Sequence, residues 1–157
     1  MSQKTAATKK NKLKTMYTGL MHAHSGLAYL LLAALIFAIV YNLIGFMGNK
    51  PFTEGNRKIA LIGLIATHIQ VVIGLVLYFV SPYGLSNFSG GNMKDGAARL
   101  LMLEHPLTMI IAAVLITIGY SKAKRLTDSN ARYKKILIFF TLGLILILSR
   151  IPWSNWL

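Results

Sequence analysis

The chain has 157 residues, 55% of them hydrophobic and 13% charged, with a mean hydropathy of +0.57; this composition excludes an ordinary soluble domain and reads as a membrane protein. Net charge is +13 and the pI is near 10.2, but the cations sit in the N-terminal segment and between apolar blocks, without interleaved aromatics, so the expected partner is a lipid bilayer and not nucleic acid. The absence of cysteine removes disulfides, thiolate metal sites, iron–sulfur clusters and covalent c-type haem attachment, leaving histidine, carboxylate and methionine as metal ligands.

Residues 1–15 read as a basic tail, with Lys4, Lys9, Lys10, Lys12 and Lys14 and no acidic residue, expected to be disordered or interfacial. Residues 16–157 read as one all-α domain, an integral membrane up-down four-helix bundle with spans at about 16–43, 59–80, 99–120 and 136–152, each near the roughly 20 residues that cross a hydrocarbon core. The first span carries His22 and His24 near its start. Two residues apart on a helix is about 200°, so both cannot face one partner. His22 shares a face with Gly26, Tyr29 and Ala33, and His24 with Leu27, Ala28 and Leu31; pattern alone does not choose between them.

A loop is expected at 44–58, from its glycines, asparagines and Pro51. The second span holds Thr67-His68-Ile69-Gln70 at its middle, with Gly63, Thr67, Gln70 and Gly74 on one face and His68 about 100° from Thr67. Residues 81–98 are the least regular part. In the third span, Glu104 and His105 precede Pro106, which withholds a backbone donor and predicts a kink that frees the Met102 carbonyl. A basic loop at 121–135 leads to the fourth span, which contains Arg150, with Trp153 and Trp156 as interfacial anchors.

Ionisable groups inside lipid are costly, so they need a partner or a job. Counted from the face shared by the first and third loops at 1.5 Å per residue, His24 lies about 27 Å deep, His105 about 26 Å, Arg150 about 22 Å and His68 about 17 Å. First and third helices are diagonal in an up-down bundle, with a gap wide enough for a cofactor held edge-on. His24 and His105 are the metal-ligand pair favoured by depth, and His68 joins either only through tilt or the kink. Arg150 suits a cofactor carboxylate. The structural reading of the same groups has His22 and His24 at the interface, His68 bonded to a carbonyl across helices, and Glu104 paired with Arg150.

At Met21-His22-Ala23-His24-Ser25, Thr67-His68-Ile69-Gln70 through Ser81-Pro82, Glu104-His105-Pro106 and Ile151-Pro152-Trp153, the chain resembles small four-span bacterial membrane proteins catalogued as cytochrome b-like. The resemblance implies a non-covalent haem b, an electron-transfer role and a multi-pass place in the bacterial inner membrane. It identifies neither donor nor acceptor, and the uneven histidine depths depart from the pattern of diheme cytochromes b.

Electron exchange with a quinone or a respiratory membrane complex is therefore one expectation, with Gln70, Tyr29 and Glu104 as candidate cofactor-binding groups. A copper-binding or copper-transport protein using His22, His24 and nearby methionines is another; a non-catalytic helper subunit is the third. No catalytic triad, phosphate loop or carboxylate pair points to an enzyme. Short basic loops favour a cytoplasmic place for loops one and three, while the lysine-rich tail argues the opposite way.

Overall fold

The structure, a computed structural model, describes residues 3–156, and the side chains at 3–7, 9, 10, 13, 155 and 156, among them Lys4, Lys9, Lys10 and Trp156, lie outside the described residues. It is all-helical, with no strand among the described residues. Four long helices are α1 (Gln3–Met47), α2 (Glu54–Val80), α3 (Gly96–Arg125) and α4 (Ser129–Ser149), followed by the short α5 (Trp153–Trp156). Three of these are long and apolar enough to cross a membrane: Lys14–Met47 within α1, α2 and α3.

The boundaries differ from the expected ones where local chemistry favours more helix. The basic segment is not a separate tail; it continues α1 upstream to Gln3. No proline or glycine interrupts residues 3–14, and alanine and lysine extend a helix once the apolar span has formed its first turns. The Thr15 and Thr18 hydroxyls donate to the Asn11 and Lys14 carbonyls, each at 3.0 Å.

The loop expected at 44–58 shrinks to 48–53, and the one at 121–135 to 126–128. Lys122, Lys124 and Arg125 form the last turn of α3, where cations complement the carbonyl end of a helix. Asp128 caps α4 by accepting from the Ala131 amide at 2.6 Å. Because α4 opens on this polar turn and breaks at Arg150, its apolar run 136–149 is about 21 Å long, shorter than the roughly 30 Å of a hydrocarbon core. The expected fourth span is thus the one long helix that is not apolar enough over a membrane-spanning length, because Arg132, Lys134 and Lys135 take up its first turns.

Helical spacing decides which residues meet. Leu31, Leu35, Ala38 and Asn42 of α1 are buried, as are Ala60, Gly63, Thr67 and Gln70 of α2, Ala112, Ile116, Gly119 and Ala123 of α3, and Tyr133, Ile136, Phe140, Gly143 and Ile147 of α4. These stripes step by three or four residues, the period of one helix face. They pack as a ring in which α1 touches α2 and α4, and α3 touches α2 and α4, leaving α1 and α3 diagonal. Small residues bring the backbones close: a methyl group on Gly143 would lie 2.6 Å from Ile116 Cγ1.

One end of the ring is tied by polar contacts. The Phe52 amide donates to Ser129 Oγ at 3.0 Å, the Tyr133 hydroxyl to the Pro51 carbonyl at 3.3 Å and the Arg57 guanidinium to the Tyr120 hydroxyl at 3.0 Å. The Arg132 guanidinium lies 4.1 Å from the centre of the Phe52 ring. With that end closed, the candidate site forms at the other.

Candidate functional site

His24 on α1 and His105 on α3 face each other across the diagonal, with ring centroids 6.2 Å apart and planes at 87°. Gly74 on α2 makes room for the first ring, since a Cβ there would lie 2.9 Å from His24 Cε1. One turn earlier, Gln70 Nε2 donates to the His24 carbonyl at 2.6 Å. Both rings border a cavity of about 450 Å³ that also meets Gln70, Tyr78, Leu101 and Ile147. A smaller cavity of about 40 Å³ borders His24, Gln70, Gly74 and His105 as well.

His105 has a defined tautomer. Its Nδ1 is 2.8 Å from the Arg150 carbonyl, and a carbonyl only accepts, so Nδ1 carries the hydrogen and the neutral ring keeps its lone pair on Nε2. The Arg150 carbonyl therefore fixes the orientation of the ring and leaves its other nitrogen free to accept or bind. On the facing side two buried atoms have no hydrogen-bond partner among the described residues: His24 Nδ1 and Gln70 Oε1. Buried polar atoms are normally paired, so these two mark the spot where a bound group has something to gain.

The local backbone of α3 explains how His105 and Glu104 are aimed. Residues Leu100–Glu104 form a π-helical turn, closed by the His105 amide donating to the Leu100 carbonyl. The expected kink at Pro106 therefore takes the form of a wider turn just before the proline. Residues five apart on an α-helix diverge by about 140°, whereas a π turn stacks them. Arg99 Nε consequently reaches Glu104 Oε1 at 2.7 Å, and the other carboxylate oxygen lies 3.4 Å from Arg150 Nε. Glu104 thus bridges the Arg99 and Arg150 guanidinium groups.

The remaining sequence candidates lie elsewhere. His68 is exposed on another face of α2; its Nδ1 donates to the Leu64 carbonyl at 2.8 Å and its Nε2 is 3.3 Å from Thr117 Oγ1. The structural reading expected a carbonyl across helices; the carbonyl His68 bonds is on its own helix, and its contact across helices is to the Thr117 hydroxyl. His22 is exposed on α1, and Tyr29 is 49% exposed. Among the described residues no group of three or more His, Cys, Asp or Glu side chains is placed to hold a metal ion, so the four candidate histidines reduce, in space, to one pair.

Tyr78, Gly74 and Arg99 join the site without having been singled out for it. Gly74 was visible as part of the small stripe of α2, but Arg99 was not, because a pair five residues apart is meaningful only once the π turn is known. Comparison with protein-family models, with curated proteins and with solved structures returns no match.

Proposed function

We propose that this is an integral membrane protein whose helices bind a b-type haem between His24 and His105 and use it to carry electrons. Support for the membrane setting comes from the three long apolar helices and from the outward side chains, which are large and apolar: Leu30, Phe37, Ile62, Val72, Val114 and Ile145 are all exposed. Inside, small residues such as Ala38, Ala60, Gly63, Ala112, Gly119 and Gly143 interleave with larger apolar ones and let the helices approach closely.

The observation that carries the reading is the spacing of the two rings. The two rings face each other 6.2 Å apart, and both imidazoles would hold the group if it bound between α1 and α3. With only two protein ligands, the pair suits a metal whose other ligands come from a macrocycle. The cavity of about 450 Å³ lies in the range of cofactor pockets. When bound there, a haem supplies one-electron redox chemistry. The chain's own work is to present imidazole nitrogens from α1 and α3, to fix the His105 tautomer through Arg150, and to exclude water with Leu101, Leu31 and Ile147. Arg150, expected to meet a cofactor carboxylate, is instead paired through its guanidinium with Glu104, as is Arg99, and none of the three borders the cavity. The electron partners are of the quinone or respiratory-complex class, in the bacterial inner membrane that the cytochrome b-like resemblance implies.

A reduced-minus-oxidised spectrum of the detergent-solubilised chain tests this. A Soret band with a sharp α-band is expected, lost in His24→Ala and in His105→Ala and kept in His22→Ala and His68→Ala. A colourless protein, or a spectrum that survives loss of His24 and His105, refutes the reading. The two-imidazole set also suits copper(I), with Met21 bordering the same cavity; copper retained in place of haem on metal analysis selects that second reading.

A further inference from the structure

We propose that Tyr78 is the positioning residue for His105, supplying the hydrogen-bond donor that Pro106 denies to the Met102 carbonyl and so holding the π turn that presents His105 to His24. In an α-helix that carbonyl accepts from the amide four residues on, and proline at 106 has no amide hydrogen. Met102 is fully buried, so its carbonyl has no ready access to solvent, and a buried backbone acceptor without a donor is costly. The Tyr78 hydroxyl donates to it at 3.0 Å, from α2.

Three features converge at this contact. The π turn Leu100–Glu104 ends where His105 begins. Tyr78 lies on the same helix as Gln70, which donates to the His24 carbonyl, and Gly74, which seats the His24 ring, so α2 braces both histidines. Tyr78 and His105 also border the same cavity. π turns concentrate at functional sites because they re-aim the residues that follow. Here the turn directs Glu104 to Arg99 and Arg150, and its closing residue is the imidazole itself.

The proposal rests on the reading of His24 and His105 as a ligand pair, and its test separates the two. Haem is titrated into the full chain in detergent for wild type, Tyr78→Phe, Pro106→Ala and the double variant. Loss of the hydroxyl is expected to weaken haem binding about tenfold in the wild-type background, as for other outer-shell partners of metal ligands. In the Pro106→Ala background the same loss is expected to be less than about twofold, because the substituted residue brings its own amide donor and the two changes act on one carbonyl. Equal losses in both backgrounds overturn the proposal.

The second arm needs no cofactor. With ¹⁵N-labelled histidine, the His105 Nδ1 hydrogen, held by the Arg150 carbonyl, is expected to give a slowly exchanging resonance in wild type. Tyr78→Phe is expected to speed its exchange about tenfold, and the double variant to restore it. A resonance unchanged in Tyr78→Phe overturns the proposal. If the wild-type chain takes up no haem, the proposed function fails and this arm still decides the role of Tyr78.

Discussion

Replacing Gly74 by alanine separates cofactor binding from stability. The new Cβ would lie 2.9 Å from His24 Cε1, 3.5 Å from Nδ1 and 3.7 Å from Nε2. Carbon atoms in contact prefer about 3.5–4.0 Å, so the imidazole must retreat by about 0.6 Å or more. Metal–ligand distances hold within about 0.2 Å, and misplacing a positioned group by about 1 Å costs on the order of a hundredfold. Haem affinity is therefore expected to fall about 10- to 100-fold.

Overpacking costs about 1–3 kcal/mol, but alanine recovers about 1 kcal/mol of helix propensity over glycine, so the net stability change is expected to stay within about 2 kcal/mol. Gly26→Ala is the matched control: it lies two residues from His24, and nothing stands within 4 Å of the added methyl. Haem titration followed by thermal unfolding of the same samples reads both quantities. Wild-type affinity in Gly74→Ala, or equal losses in Gly74→Ala and Gly26→Ala, refutes the idea that this glycine seats the imidazole.

Three further outcomes are expected. Gly143→Ala puts a methyl 2.6 Å from Ile116 Cγ1 and 3.3 Å from the Ala112 carbonyl, so it should destabilise by about 1–3 kcal/mol in thermal unfolding. Asn42 is fully buried with its Oδ1 unpartnered; Asn42→Leu removes that unpaired acceptor and should raise the melting temperature, by a gain of about 1 kcal/mol. Glu104→Gln leaves Arg99 and Arg150 without their shared carboxylate; a small loss of stability is expected, smaller still in 1 M salt, measured by unfolding at two ionic strengths.

Sequence spacing carries a good part of this architecture, and its failures have physical causes. Apolar runs mark all four long helices because burial on one face imposes the helical period. Counting rise per residue brings His24 and His105 to one depth, and their rings stand 6.2 Å apart; His68, about 10 Å off that level by the same count, bonds to Leu64 and Thr117 instead. The length of α1 was hidden because lysine reads as solvated chain while being a good helix former. The start of α4 at Ser129 was hidden because its polar first turns read as loop. The Arg99–Glu104 pair was hidden because it depends on a turn whose hydrogen bonds follow no sequence periodicity.

The site draws on His24, on Gln70 and Gly74, on His105 and on the Arg150 carbonyl, and no two consecutive helices contain them all. During synthesis, a chain that has reached only its second helix holds one imidazole of the pair; one that has reached the third holds both but lacks the acceptor that orients the second. On the haem reading proposed above, the pocket is therefore complete only once residue 150 has emerged, and a chain truncated before it is expected to bind haem less tightly.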